Sequence, residues 1–326
     1  MWQPIDVKSW VSQRRSSLSD VKDSVEAIID NVRQNGDKAL FELTEKFDKQ
    51  KLSSLKITRG QIDAAYDEVD DDLIQALIDA EARISEFHEL QKPKSLWLEE
   101  ISDGITLGVK TTPLERIGAY IPGGRAAYPS TVLMTVISAR IAGVKEIVVC
   151  TPPPVNPLTL VAIDIAGATE AYSVGGAQAI AAMALGTETI KPVSKIVGPG
   201  NVFVTLAKMM LRDYAEIDFP AGPSEIGVVA DESANPAYAA ADILAQAEHD
   251  PNSACILITH SRKFAEAVEA EIEKQIKTSP RKEIIEKSLL HSGYVVTKSI
   301  DESIDMMNEV APEHLSIQVS DPLSVL

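Results

Sequence analysis

From about Gly104 onward, short runs rich in β-branched residues alternate with alanine-rich runs of helical period, and few architectures accommodate that alternation. The strand-like runs are 117–120, 146–150, 171–174, 195–197 and 225–230, and the pattern continues through 256–259, 294–297 and 315–319. Helical stretches starting near Pro236, Arg262 and Ile300 separate the last of these. A strand that feeds a helix and then a second strand in the same direction makes a βαβ unit, so the pattern predicts parallel sheets covered by helices. Proline and glycine gather at the joints, in Pro122-Gly123-Gly124, Pro152-Pro153-Pro154, Gly175-Gly176, Gly198-Pro199-Gly200 and Pro220-Ala221-Gly222-Pro223. Loops leaving the carboxyl ends of strands form the ligand crevice in open α/β sheets, which makes these joints the first place to look for a site.

Residues up to about 92 read as helical and charged. Ser19 opens a stretch whose apolar positions Val21, Val25, Ile28, Ile29 and Val32 recur at helical spacing, and Gly36 is expected to stop it, with another helix following at once. A long amphipathic segment over 58–90, dense in Asp and Glu, reads as one solvated helical face, with His88 on its surface. The expected organisation is a discontinuous α/β domain, 1–115 plus 225–326, in which the helical N-terminal part packs against the block after 225. Into it is inserted an α/β domain of 116–224. No internal repeat stands out, although the two consecutive α/β blocks are compatible with distant copies of one design.

At 326 residues, with 45% hydrophobic and 24% charged residues, the chain has material for two domains with buried cores. A net charge of −17 disfavours nonspecific binding to nucleic acid or to an anionic membrane surface. The most apolar window, 177–185, is too short to span a bilayer. The N-terminus lacks a basic segment followed by an apolar one, so the expected location is the cytoplasm. Cys150 and Cys255 fall in strand-like runs without Cys-x-x-Cys spacing and read as small core residues, supporting neither a zinc knuckle nor a disulfide framework.

Several joints carry side chains suited to chemistry. Gly175-Gly176-Ala177-Gln178-Ala179 lies between a strand and a helix, where backbone N–H groups can approach a phosphate and Gln178 can bond a ligand from the first turn. Gly198-Pro199-Gly200-Asn201 repeats the arrangement. Neither is a G-x-G-x-x-G fingerprint, no acidic residue at the right distance marks a ribose site, and glycine as a plain hinge explains either loop taken singly. Tyr120 ends a strand just before Pro122, where it could cover a cofactor ring or serve as a core tyrosine. Ser224, after two prolines, reads as a binding hydroxyl rather than a nucleophile, since no G-x-S-x-G elbow surrounds it. Gln246 and His249 lie three residues apart at the end of an apolar periodic stretch, so one helical face could present both to a ligand or metal. Glu313-His314, after Pro312, couples a carboxylate to an imidazole in a probable loop, where a proton acceptor stays accessible at neutral pH. The bland reading of either Glu-His dipeptide is a solvated helix end.

Taken together, these motifs resemble the histidinol dehydrogenase family. Eight ordered blocks carry the resemblance over nearly the whole chain. They are Phe47-Asp48, Tyr120-Ile121-Pro122-Gly123-Gly124, Ser130-Thr131-Val132-Leu133-Met134, Val174-Gly175-Gly176-Ala177-Gln178-Ala179, Gly198-Pro199-Gly200-Asn201, Pro220-Ala221-Gly222-Pro223-Ser224-Glu225, Gln246-Ala247-Glu248-His249 and Pro312-Glu313-His314. The fold implied is α/β, with two Rossmann-like parallel-sheet domains and a helical N-terminal region. The activity implied is a zinc-dependent, NAD-linked oxidation of L-histidinol through the aldehyde to L-histidine, by a homodimer when full length. By the same resemblance Tyr120, Gln178 and Asn201 contact NAD, and Ser224, Gln246, His249 and His314 contact substrate. Gln246 and His249 ligate zinc, and Glu313 and His314 are the acid/base pair. Glutamine is an uncommon zinc ligand, and the choice of Gln246 over Glu248 rests on the family alone. Family members continue past the equivalent of Leu326 and draw further zinc and substrate ligands from that continuation. The expectation is therefore a C-terminally truncated chain, inactive or impaired alone, with a noncatalytic NAD-binding short form as the alternative. His260 and His291 are expected to be structural.

Overall fold

The computed structural model describes residues 2–14, 21–123, 127–220 and 224–326. The chain divides into two compact units, one made of Met1–Ser19 with Gly222–Leu326 and the other of Asp20–Ala221. Strand β1 (Gln3–Pro4) and helix α1 (Val7–Arg14) open the discontinuous unit. The continuous unit begins with helices α2 (Lys22–Asp48), α3 (Arg59–Tyr66) and α4 (Asp71–Gln91), then strands β2 (Leu96–Ser102) and β3 (Ile105–Lys110). Next come β4 (Arg116–Tyr120), α5 (Pro129–Ala142), β5 (Glu146–Thr151), α6 (Pro157–Ala166) and β6 (Glu170–Ser173). It closes with α7 (Gly176–Leu185), β7 (Lys195–Val197), α8 (Val202–Met210) and β8 (Glu216–Ile217). The discontinuous unit resumes with β9 (Glu225–Ala230), α9 (Pro236–Ala247), β10 (Ala254–Thr259) and α10 (Arg262–Gln275). It ends with α11 (Lys282–Ser288), β11 (Gly293–Val296), α12 (Ile300–Val310) and β12 (His314–Gln318).

The sheet of the continuous unit has the order β6-β5-β4-β7-β8, with every neighbouring pair parallel. Counted from its first strand the order is 3-2-1-4-5, the winding of a Rossmann half, and it reverses direction between β4 and β7. The discontinuous unit has β1-β11-β10-β9-β12, again all parallel; from β9 this reads 3-2-1-4, with β1 added outside. The central strands β4 and β10 are buried at every position, as strands covered by helices on both faces must be. That is why their sequences, Arg-Ile-Gly-Ala-Tyr and Ala-Cys-Ile-Leu-Ile-Thr, do not alternate. Cys150 and Cys255 are both buried free thiols, and burial pushes the Cys150 thiol up to about 12.

In the N-terminal region the structure corrects two expectations, bears out one and adds an element. Helices α2, α3 and α4 pack on α7, α6 and α5 of the continuous unit, and only residues up to Ser19 join the block after 225. The physical reason lies in α7, where eight consecutive residues from Ala177 to Ala184 are buried, so the helix needs cover on its face away from the sheet. Second, the helix breaks at Gly36 (φ 51°, ψ −132°) and another helical stretch follows at once, as expected, the two together making up α2. A Cβ at Gly36 would lie 2.2 Å from Glu188 Oε2, and that same oxygen accepts the Asp37 N–H at 2.7 Å. Third, the stretch 58–90 is two helices. Thr58 and Gln61 form a capping box on α3, and Asp70 caps α4, so local hydrogen bonding interrupts the long period. Finally, β2 and β3 pair as an antiparallel hairpin, exposed along its whole length, which the sequence pattern did not reveal. Ser19, Gly124 and 221–223 lie outside the described residues.

Candidate active site

The expected site residues fall into two groups, one in each unit. In the continuous unit all three stand at the carboxyl edge of the sheet. Tyr120 is the last residue of β4 and is 4% exposed; its hydroxyl oxygen accepts the Gly176 N–H at 3.1 Å. Burial pushes this phenol up to about 12, against the opposing Gly176 hydrogen bond and with a smaller push from the Asp48 charge. The side chain thus behaves as a core tyrosine bonded to backbone, and that bond fixes the turn that starts α7. Gly175 caps α7 without any side-chain hydrogen bond; with the Gly176 N–H taken by Tyr120, the N–H groups of Ala177 and Gln178 are the ones left to an anion. Gln178 sits in that first turn, 2% exposed. Asn201 does the opposite work at α8, its Oδ1 accepting the N–H groups of Phe203 (3.0 Å) and Val204 (3.2 Å).

A buried ion pair that sequence reasoning missed holds the Gly198–Asn201 turn. Lys208, 2% exposed, donates from Nζ to the Gly198 carbonyl (3.0 Å) and to Asp218 Oδ1, while Asp218 Oδ2 accepts the Gly198 N–H (2.8 Å). A signal was present: Lys208 is the single charge in the apolar helix Val202–Met210. Gly198 needs to be glycine, with φ at +108° and the place a Cβ would take only 2.1 Å from the Tyr120 carbonyl oxygen. The two glycine turns therefore converge on the end of β4.

In the discontinuous unit the candidates gather at the amino edge of the sheet. His314 opens β12 opposite Ile226 of β9, and its Nδ1 lies 3.0 Å from the Glu225 carbonyl oxygen. A carbonyl only accepts, so Nδ1 carries the proton and a neutral ring keeps its lone pair on Nε2. Glu313 Oε2 is 3.9 Å from the same Nδ1, too far for a hydrogen bond. Both side chains are exposed, 54% for His314 and 39% for Glu313. Ser224 precedes β9, its carbonyl accepting the Ala254 N–H at 3.1 Å. Pro312 packs over Gly227, where a Cβ would come within 2.8 Å of the ring.

Helix α9 brings in the remaining pair. Asp242 Oδ2 accepts from Ser316 Oγ (2.7 Å) and Gln318 Nε2 (2.9 Å), tying one face of α9 to β12. One turn later on that face stands Gln246, 7% exposed, with a buried Nε2 that has no hydrogen-bond partner. His249 follows beyond the helix end, exposed. The unpartnered Nε2 is a hydrogen-bond donor and no metal ligand; the Gln246 amide oxygen and the accessible His249 imidazole are the two groups near this helix end whose chemistry suits zinc. Among the described residues no group of three His, Cys, Asp or Glu side chains could hold a metal ion. At the opposite, carboxyl edge of this sheet a cavity of about 320 Å³ is lined by residues including Asp231, His260, Ile300 and Ser320. His88 and His291 lie apart from either group: His88 bonds Gln91 and Ser138, and the His291 carbonyl accepts the Trp10 indole N–H.

Comparison with known proteins bears on all of this. The sequence model of the histidinol dehydrogenase family matches residues 11–326. The histidinol dehydrogenase of Methanosarcina mazei is 52% identical over 317 residues, which is 96% of this chain and 73% of that protein. The enzyme of the same name from Methanothermobacter thermautotrophicus is 49% identical over 98% of this chain and 76% of its own length. Among solved structures, histidinol dehydrogenase from Elizabethkingia anophelis superposes with a TM-score of 0.91 at 38% identity, covering 99% of this chain and 77% of that one.

Proposed function

Since the chain belongs to the histidinol dehydrogenase family, NAD-dependent oxidoreductases of histidine biosynthesis, we propose that it oxidises L-histidinol through L-histidinaldehyde to L-histidine with NAD and zinc. The observation that carries the reading is the His314 ring. Its Nδ1 is committed to the Glu225 carbonyl, so Nε2 is the proton acceptor, held by strand register rather than by a mobile loop. Alcohol oxidation needs a proton acceptor at the hydroxyl, and an imidazole in this tautomer presents the Nε2 lone pair as one.

In the proposed sequence His314 Nε2 takes the hydroxyl proton of histidinol as the carbon is oxidised, and the nearby Glu313 carboxylate steadies the imidazolium. Glu313 then draws a proton from water as that water adds to the aldehyde, the His314 imidazolium returns its proton to the aldehyde oxygen, and the neutral ring takes a hydroxyl proton of the resulting hydrate in the second oxidation. When bound, NAD accepts the hydride of each oxidation, and zinc orients and polarises the substrate. Gln246 and His249 would supply two of the metal's ligands; Ser224, at the same sheet edge, offers a hydroxyl to the substrate. On the cofactor side, the uncapped start of α7 and the braced Gly198–Asn201 turn suit a pyrophosphate, with Gln178 and Asn201 offering amides beside it.

Homodimer formation belongs to the same proposal. Its support is the hairpin of β2 and β3, whose Trp97, Ile101, Leu107 and Val109 are all about half exposed. Among the described residues no helix is long and apolar enough to cross a membrane, which agrees with the proposed cytoplasmic location. The reading is tested by following NADH absorbance with L-histidinol, NAD and zinc. Two NADH formed per histidinol consumed is the expected stoichiometry, and a product that stops at one would sink the second oxidation assigned to Glu313.

A further inference from the structure

Asp48 closes helix α2, and the residue after it, Lys49, turns the chain out of the helix in the left-handed conformation (φ 58°). The Asp48 Oδ2 atom is buried and has no hydrogen-bond partner. Burial alone accounts for the upward shift of its carboxyl group. A buried acceptor left unmatched is costly, and native structures seldom keep one without a use.

Its position shows where a use lies. Beyond α2 the chain returns antiparallel along β6, with the Ser173 N–H donating to the Leu55 carbonyl (2.8 Å) and the Ile57 N–H to the Ala171 carbonyl (2.9 Å). Leu55 is thus level with the last residue of β6, and the segment leading back to Asp48 starts from the carboxyl edge of the sheet. Helix α2 packs on α7, whose first turn holds Gly176 and Gln178, and the Asp48 charge acts on the Tyr120 phenol. Asp48 therefore stands beside the Tyr120–Gly176 contact.

In a doubly wound dinucleotide site, an acid at the end of the second strand binds the ribose hydroxyls. The second strand here is β5, which ends in Thr151 and runs into Pro152-Pro153-Pro154 with no acid. Asp218, the other carboxylate met at this edge, is spent on Lys208 and the Gly198 N–H. A carboxylate with a free oxygen prefers hydroxyl donors and repels phosphate. We propose that Asp48 Oδ2 accepts hydrogen bonds from a ribose diol of the bound dinucleotide, doing from a preceding helix what the strand-end acid does elsewhere. This rests on the NAD reading above.

The test is calorimetric titration of wild-type protein and Asp48→Asn with NAD, AMP and nicotinamide mononucleotide, alongside thermal unfolding and steady-state kinetics. Asp48→Asn is expected to weaken NAD about 10- to 100-fold, the range for a hydrogen bond to a charged group, with kcat at saturating NAD unchanged. A matching loss in AMP assigns the diol to the adenosine side, and a loss in nicotinamide mononucleotide assigns it to the other; either supports the proposal. Because the substitution removes an unpaired buried charge, the variant's Tm should equal or exceed that of wild type, whereas a structural role would lower it. Wild type that binds NAD while Asp48→Asn binds it equally well overturns the proposal and leaves the NAD reading standing. Wild type that binds no NAD overturns both.

Discussion

The two units wind their strands in the same order and place their candidate residues at opposite edges. In the continuous unit Tyr120, Gln178 and Asn201 stand where parallel strands end, at the reversal point between β4 and β7. In the discontinuous unit Ser224, Gln246, His249, Glu313 and His314 stand where β9 and β12 begin and where α9 ends, although that sheet has the same reversal between β9 and β12. The carboxyl edge of a parallel sheet offers helix N-termini and free N–H groups, which suit an anionic cofactor. The amino edge offers helix C-termini and carbonyl groups, and here one such carbonyl, that of Glu225, sets the tautomer of a base. Identical winding thus presents opposite electrostatics at its two ends, and one design can serve phosphate binding in one copy and proton transfer in the other.

The largest expected effect tests the proton-transfer side. His314→Gln should lower turnover by about 10²- to 10⁴-fold, the scale of a lost general base, while NAD affinity by calorimetry stays at the wild-type value. Equal losses in both would break the division of labour. Next comes the brace on the cofactor side: Lys208→Met leaves the partly buried Asp218 without its cation, holding only the Gly198 and Phe219 N–H groups, which should cost about 1–3 kcal/mol in urea denaturation. Adding Asp218→Leu should recover much of the stability but not NAD affinity, because the Gly198 N–H still lacks its acceptor.

Asp242→Ala should cost no more, about 1–3 kcal/mol from the hydrogen bonds it makes to β12. Its turnover should fall while NAD binding holds, since α9 and β12 lose their tie; unchanged turnover would separate Gln246 from the His314 edge. The smallest effect is alkaline. Tyr120 has a folded value raised from 10.0 to about 12, so its contribution is intact below pH 10 and is lost as pH rises towards 12. The wild-type Tm should drop over that window, and Tyr120→Phe should drop less. Some loss will remain because burial raises Tyr66 to about 12 as well. A Tyr120→Phe profile that overlays wild type would mean the phenol is not held as described.

Much of the fold was legible because βαβ alternation is a local signal. Strand 195–197 and strand 225–230 coincide with β7 and β9, and the helix starts at Pro236, Arg262 and Ile300 are those of α9, α10 and α12. The N-terminal helices were visible as helices, but their partner was not. An apolar stripe specifies that something must cover it and not which sheet provides the cover, and α7 and α8 lie far from α2 in sequence. The hairpin β2–β3 went unseen because a two-sided exposed ribbon has no clean inside-outside alternation to read. Among site residues, motifs marked Tyr120, Gln178, Asn201, Gln246 and His314, whereas Asp48, Lys208, Asp218 and Asp242 are meaningful only through long-range contacts.

By itself the sequence determined that parallel sheets would form, where most of their strands fall to within a residue or two, and which side chains arrive at the joints, because residue type and spacing act over one or two turns of chain. Tertiary structure alone decided which ring nitrogen of His314 is free, which carboxylate is spent and which is left over, and which edge of each sheet the candidate residues occupy. Those outcomes depend on partners brought together from distant positions, where a hydrogen bond made or missing changes what the same side chain can do.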